Sequence, residues 1–390
     1  MIVLDTRWIT DSPSGIGVYS REMLERLPRL APDLRFHALF RTEAFRDAAL
    51  RPTGLDALPN LGSSIVPCGP LSPKSQFALP PLLRRLRADL FHSPNFLVPY
   101  TPLLRHCAFV SNIHDIIPIV VPDYAPSSRT NRFKAVYRWC LRRTIRRSAV
   151  TITGSEATRQ DLVRELRLPA SLAGRVRVIT DGAGETLSPD GRAPVKSPDD
   201  PSPRTLLYVG RMDPYKNVTL LVEALAEIRR LCPFPVRLRV VGPKDPRYPE
   251  AERRAAELGL ADAVEFTGFV SAEELARAYR EADLLTHPSR YEGFGLQLVE
   301  AMRAGLPVVC TDGGSQPEVA GDAAVVVPHD DAAALARAAA SLLLNPDRMR
   351  RLQTLGLERA PLFSWDRTAE QTLALYRDIL ASLGRSGPLS

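Results

Sequence analysis

The chain is short of lysine, cysteine, histidine and long apolar stretches, and each shortage excludes something. Its five cysteines (Cys68, Cys107, Cys140, Cys232 and Cys310) are scattered and odd in number, with no CxxC pair. Neither a disulfide framework nor a zinc site follows, and a reducing cytosol is the expected home. The six histidines (His37, His92, His106, His114, His287 and His329) show no metal-ligand spacing. No apolar run approaches the roughly 18 residues that cross a bilayer; the best, Ala323–Pro328, has the length of a buried strand. Asp5 and Arg7 interrupt the first apolar stretch, so a secretory signal is not expected there. No lysine follows a glycine, which excludes a Walker A loop, and Gly182-Ala-Gly184 lacks the third glycine of a dinucleotide fingerprint. No two aspartates stand two positions apart, so no DxD motif holds a metal-bound nucleotide sugar. Binding without a metal or other cofactor is the expectation.

What is present is an ordinary globular mixture, 45% hydrophobic and 24% charged over 390 residues. That length implies two or three domains and excludes wholesale disorder. Net charge is +7, and the basic excess concentrates in Arg129–Arg147, which carries no acid. Such a block suits nucleic acid, an anionic membrane surface or an acidic substrate. Helical spacing puts Phe133, Val136, Tyr137 and Cys140 on one stripe, which most simply packs on the domain's own sheet; the sharper alternative is a surface drawn to anionic lipid and a lipid-linked acceptor.

Short apolar runs alternate with amphipathic helical stretches on both sides of LSPDGRAPVKSPDDPSPR, a segment with five prolines. The alternation predicts an α/β protein with two facing, doubly wound Rossmann-like domains and a cleft between them. Expected boundaries are 1–186 for the first domain, 187–204 for the hinge and 205–362 for the second domain. The remainder, 363–390, is expected as a helix crossing back to the first domain. Strands are expected at Ile2–Asp5, Phe36–Phe40, Ser64–Pro67, Leu90–His92, Ala108–Ile113, Val150–Thr153 and Arg177–Thr180. The second half should add strands at Thr205–Val209, Arg237–Val241, Val264–Phe266, Asp283–His287, Pro307–Thr311 and Ala324–Val327.

Two segments carry chemistry. In His287-Pro-Ser-Arg-Tyr-Glu292-Gly293-Phe294-Gly295-Leu296, a strand ends, a glycine-bearing loop follows and a helix opens near Gly295. The unpaired N–H groups of a helix start suit a diphosphate. Glu292 and Glu300 flank that start at different depths and suit sugar hydroxyls; the bland alternative pairs Glu300 with Arg303 on a surface helix. In Gly210-Arg211-Met-Asp-Pro-Tyr-Lys216, two cations follow a buried strand and could clamp a phosphate from the opposite face, unless this is simply a solvated loop. Both cations are expected to lie exposed in the cleft.

VGRMDPYKNVTLLVEAL, GFVSAEEL, HPSRYEGFGLQLVEAMRAGLPVV and TDGGSQPEVAGDAAVVV together resemble the nucleotide-sugar half of family-4 retaining glycosyltransferases of the GT-B fold. The Glu292…Glu300 spacing matches that family's E-x7-E motif. The first half is similar more loosely, through Ser14-Gly15-Ile-Gly17, His92-Ser-Pro-Asn95, Ile113-His114-Asp115 and Val178-Ile-Thr-Asp-Gly182. The resemblance implies that Arg211 and Lys216, beside Gly210, neutralise a donor diphosphate, that Glu300 holds the ribose, and that the base rests near Val270. It implies that Glu292 contacts the transferred sugar with help from the backbone of Gly293, Phe294, Gly295 and Leu296. Gly15 and Gly17 would let the opening loop approach the phosphate, and His114 would face sugar and acceptor; a histidine capping a strand end beside Asp115 is the plainer reading. His92 and Asn95 could face the cleft, or belong to a turn at Ser93-Pro94. Two positions depart from the family pattern: Gln297 replaces a proline, and Asp181 replaces an asparagine, adding charge near the cleft if it points inward.

The function so implied is transfer of a hexose, mannose first, from a nucleoside-diphosphate sugar, GDP-mannose before others. The acceptor would be a glycan or lipid-linked molecule in bacterial surface polysaccharide synthesis. The enzyme is expected in the cytoplasm, with peripheral contact at the inner membrane face through Arg129–Arg147 as the sharper alternative, and without nucleic acid as partner. Rivals are a phosphorylase or epimerase of the same architecture and a non-catalytic sugar-nucleotide sensor.

Overall fold

A computed structural model describes residues 1–11, 14–101, 104, 106–122, 124–125 and 133–384. Short strands, most of them buried, are joined by crossovers that return the chain to the same end of the sheet, and every strand pair among the described residues is parallel. The first sheet comprises β1 (Ile2–Leu4), β2 (Phe36–Phe40), β3 (Leu61–Ile65), β4 (Leu90–Ser93), β5 (Ala108–Asn112), β6 (Val150–Thr153) and β7 (Val176–Val178). Its spatial order is β3-β2-β1-β4-β5-β6-β7. The second comprises β8 (Arg204–Val209), β9 (Val236–Val241), β10 (Val264–Gly268), β11 (Leu284–His287), β12 (Val308–Thr311) and β13 (Ala324–Val327), ordered β10-β9-β8-β11-β12-β13. Both are doubly wound, with the order reversing beside β1 and beside β8, where such sheets open a crevice for ligands.

The expected α/β architecture is therefore the one observed. Differences arise at weakly patterned elements. β3 lies three residues earlier than Ser64–Pro67, because its Leu-Gly-Ser-Ser-Ile sequence takes its register from β2, with Leu61 opposite Phe36. The short helices Glu43–Leu50 and Gln316–Ala320 were not anticipated. The first of these is capped by Thr42, whose side chain accepts from the Phe45 N–H.

The basic helix spans Lys134–Arg147, while residues 129–132 of the expected stretch lie outside the described residues. Its buried face differs from the expected stripe: Leu141, Thr144 and Ile145 face the domain, whereas Phe133 and Val136 are more than half exposed. Tyr137 and Cys140 are half-buried. A helix of 3.6 residues per turn can bury only one stripe, and the later one packs with Leu162, Leu166 and Val176.

The segment 187–204 forms no helix or strand before Arg204 and is tied to the second sheet's side. The Arg192 guanidinium donates to the carbonyls of Tyr279 and Ala282, both at 2.9 Å. The final helix, Trp365–Ser382, capped by Ser364, lies on the helix Gly15–Leu30. Trp365, Ala369, Leu373 and Tyr376 share one core with Tyr19, Met23, Leu24 and Leu27, so the chain's end is built into its beginning.

Candidate active site in the interdomain cleft

The second domain supplies the charged wall. After β8 the chain turns through Pro214–Lys216, and Asn217 at φ +59° redirects it into the helix Val218–Leu231. That turn brings Lys216 Nζ to 2.7 and 2.9 Å from the two carboxylate oxygens of Glu292, which follows β11. His287, the last residue of β11, donates from Nε2 to Glu292 Oε1 at 2.9 Å. The pair is buried, with side chains 11% and 8% exposed, contrary to the expectation of an exposed Lys216. Burial works against the Glu292 carboxylate, but Lys216 and then His287 outweigh it and hold its pKa well below the usual range. Burial likewise disfavours the Lys216 ammonium, yet Glu292 keeps its pKa raised.

Arg211 does not join them. Its guanidinium is 60% exposed and pairs with Asp213 at 2.9 Å. Gly210 precedes it at φ +146°, where β8 ends.

Beyond Glu292, the loop reaches across to the first domain. The Gly293 carbonyl accepts from Ser155 Oγ at 2.7 Å and from Thr158 Oγ1 at 3.2 Å. A Cβ at Gly293 would lie 2.2 Å from the His114 carbonyl oxygen and 2.7 Å from Asp115 Cβ, so only glycine fits this contact. Ser315 Oγ donates to the carbonyls of Glu292 and Phe294, holding the loop from behind. Gly295, at φ +93°, opens the helix Leu296–Arg303 without a side-chain cap, so the helix start keeps backbone donors for a ligand. About one turn in, Glu300 accepts from the Tyr279 hydroxyl at 2.5 Å, and burial raises its pKa. Val270 borders the core that contains Tyr279 and Phe294.

The first domain supplies the aromatic wall. His114, beyond β5, donates from Nε2 to the Pro94 carbonyl at 3.0 Å and turns Nδ1 toward Asp181 Oδ2 at 3.6 Å. Asp181 thus points inward. Tyr19 stands edge-on to the His114 ring at 5.3 Å, and its helix begins at Gly15 and Gly17. Gly17 lies against the Trp8 carbonyl, while residues 12–13 of that loop lie outside the described residues. His92 faces the core, not the cleft. Its Nε2–H donates to Asn112 Oδ1 at 2.6 Å and its Nδ1 accepts from the Tyr376 hydroxyl. Burial lowers its pKa to about 4, a neutral structural histidine. Asn95 is buried and caps the Phe96 N–H.

The structure therefore gathers Lys216, Glu292, Gly293 and His114 where the domains touch, sets Glu300 farther along the helix, and leaves Arg211 at the surface. Sequence reasoning missed His287, Tyr279, Ser315 and the pair Ser155–Thr158. His287 carried a usable signal, a polar residue at the carboxyl end of a parallel strand. A cavity of about 600 Å³ opens beside this locus between Gln160 and Arg164 of one domain and Tyr291, Asp312 and His329 of the other. Arg211, Lys216, Glu292 and Glu300 do not line it. Among the described residues no group of three or more His, Cys, Asp or Glu side chains could hold a metal ion.

Comparison with known proteins agrees with this layout. The model of glycosyltransferase family 4 matches residues 13–184, and that of the glycosyl transferases group 1 matches residues 192–358. The O-antigen chain mannosyltransferase B of Escherichia coli is 28% identical over 96% of this chain and 99% of its own length. A D-inositol 3-phosphate glycosyltransferase of Corynebacterium glutamicum is 30% identical over 75% of this chain and 73% of its own. The sucrose-phosphate synthase of Thermosynechococcus elongatus shares the fold, with a TM-score of 0.73 at 23% identity over 98% of this chain and 99% of that one. The chain belongs to the group 1, family-4 glycosyltransferases, enzymes of the GT-B fold.

Proposed function

We propose that this glycosyltransferase is a metal-independent, retaining hexosyltransferase using a nucleoside-diphosphate sugar. The observation that carries the reading is the buried Lys216–Glu292 pair at the point where the two domains meet. An ammonium and a carboxylate that neutralise each other can separate onto a ligand offering both a diphosphate and hydroxyls. Lys216 then turns to the phosphate, and Glu292, still oriented by His287, accepts from the sugar hydroxyls. The start of the helix after Gly295 adds backbone donors to the same phosphate. Arg211 reaches it by leaving Asp213, and Glu300 binds the ribose with the base near Val270.

Retention follows if the departing diphosphate takes the acceptor's proton on the face it leaves. The protein's part is then to stabilise charge on the leaving phosphate and exclude water. Lys216, Arg211 and the helix start supply positive field, which supports independence from a metal.

Mannose is the first choice of sugar, supported by the mannosyltransferase name of the Escherichia coli relative. A glycan or lipid-linked acceptor of bacterial surface polysaccharide synthesis, handled in the cytoplasm, completes the reading. No helix among the described residues is long and apolar enough to cross a membrane. Peripheral contact with anionic lipid is supported by the Lys134–Arg147 helix, which exposes Phe133, Val136 and Trp139 along with Arg143 and Arg146. Its other side reaches the cleft, where the Tyr137 hydroxyl donates to the Asp115 carbonyl at 3.4 Å.

The test is a thermal-shift screen with UDP-, GDP- and ADP-sugars, followed by product analysis in excess EDTA. A donor that binds the folded state raises its melting point. The reading expects a GDP-sugar to give the largest rise and transfer to continue in EDTA. Complete loss in EDTA with rescue by Mg²⁺ overturns metal independence, and no rise with any sugar nucleotide overturns the donor class.

A further inference from the structure

Both ring nitrogens of His114 face oxygen acceptors. Nε2 lies 3.0 Å from the Pro94 carbonyl, and Nδ1 lies 3.6 Å from Asp181 Oδ2. A neutral imidazole has one N–H and one lone pair, so it satisfies one of these partners and directs its lone pair at the other. An imidazolium has two N–H groups, so it donates to the Pro94 carbonyl and presents its other N–H and its charge to the Asp181 carboxylate.

The turn carrying Asp181 is held firmly in place. Thr368 Oγ1, on the final helix, donates to the Thr180 carbonyl at 2.7 Å. On the other side of Asp181, a Cβ at Gly182 would lie 2.3 Å from the Trp365 nitrogen. The final helix thus fixes both neighbours of Asp181, whose side chain is only 11% exposed and turned toward His114.

We propose that Asp181 is a positioning residue that keeps His114 as a fixed cation on the first domain's wall of the cleft. The inference rests on the reading of this cleft as the reaction site. It gives His114 an electrostatic part, favouring electron-rich oxygen of sugar or acceptor, and removes it as the base that takes the acceptor's proton.

The groups facing His114 are consistent with a cation. Asp181 stands beyond β7 and Asp115 follows His114 itself; His92 on β4 is neutral, and the Tyr19 hydroxyl is held protonated by burial. Burial alone would lower the His114 pKa, but the hydrogen bond and charge of Asp181, then Pro94 and Asp115, raise it. A raised folded value means this contribution to stability is fully present below the ordinary 6.5 and is lost as pH rises through the folded value.

The experiment is an imidazole ¹H–¹³C titration of the full chain, with His114→Gln to assign the resonance, beside the pH profile of kcat. Wild-type His114 is expected to titrate above 6.5, and Asp181→Asn to lower the midpoint by about one pH unit, the scale for losing one nearby opposite charge. The alkaline limb of the kcat profile is expected to move down by the same interval. A wild-type midpoint below 6.5 overturns the proposal without any variant, as does a midpoint unmoved by Asp181→Asn. A moved midpoint with an unmoved alkaline limb overturns the cation's part in turnover. The titration needs no substrate, so failure of the donor reading is seen separately, in the thermal-shift screen.

Discussion

The two walls of the cleft are built on different principles. The second domain's wall is charged and local in sequence: Lys216 lies seven residues beyond the end of β8, and Glu292 five beyond the end of β11. Adjacent strands at the switch point of one sheet bring those two short loops together. The first domain's wall is aromatic and assembled from afar. Tyr19, Pro94, His114 and Asp181 come from four loops or helices, and Thr368 and Trp365 of the final helix hold the last of them. A charged pair from two loops is rigid because each partner needs the other in a buried place. The scattered wall is rigid because a helix from the chain's other end is packed into it.

If that contrast is right, the largest effects come from breaking the charged wall. Lys216→Ala should lower turnover by roughly 10²–10³, the scale for losing a preorganised donor to developing charge. It should also leave Glu292 buried and unpaired, at a cost of about 3–5 kcal/mol. Urea unfolding together with initial rates tests both, and a full-stability Lys216→Ala would show that the pair is not a buried one. The double change Lys216→Met/Glu292→Leu should recover most of the lost stability without recovering activity. Because the folded Glu292 pKa is depressed, its contribution is present above the ordinary 4.5 and is lost as pH falls. The wild type should therefore lose more stability than the double variant between about pH 5 and pH 3. Arg211→Ala, at an exposed site, should leave folding intact while lowering turnover.

The two glutamates sharpen the same wall. Glu292→Gln should reduce kcat by on the order of 10² while leaving affinity for the sugar-free nucleotide within about threefold. Glu300→Gln should instead raise the donor KM and weaken the bare nucleotide as an inhibitor. Kinetic series with calorimetry separate the two; a similar loss of nucleotide affinity in both variants would remove the division.

On the first domain's outer face, Arg143→Ala/Arg146→Ala should weaken binding to phosphatidylserine-containing vesicles by about 30-fold, at about 1 kcal/mol for each arginine near an anionic surface. Neutral vesicles should show no difference. Equal sedimentation of wild type and variant with both vesicle types would count against the lipid reading.

The smallest effect belongs to the packed wall. Tyr376→Phe removes one hydroxyl from the buried His92 and should cost about 1–3 kcal/mol of stability. The kcat at the optimum should stay within about twofold, since His92 serves the core. A large loss of kcat with unchanged stability would return His92 to the cleft.

Much of this molecule follows from sequence alone. The alternation of buried runs and amphipathic helices was enough for two doubly wound sheets, because strands covered on both faces have few other ways to connect. Lys216 and Glu292 stood out as candidates because their loops sit directly after strong strands and lysine is rare, and Glu300 because it lies on the helix that follows the second loop. Tertiary structure decided what lies between segments far apart in the chain. It turned Lys216 from an exposed cation into a buried partner, since neither loop alone reveals the other. It sent His92, near the end of β4, into the core and His114, just beyond β5, to the cleft, because Tyr376 arrives nearly three hundred residues later to cover only the first. It also chose which stripe of the Lys134–Arg147 helix is buried, a choice that the neighbouring side chains Leu162, Leu166 and Val176 make and the helical period leaves open.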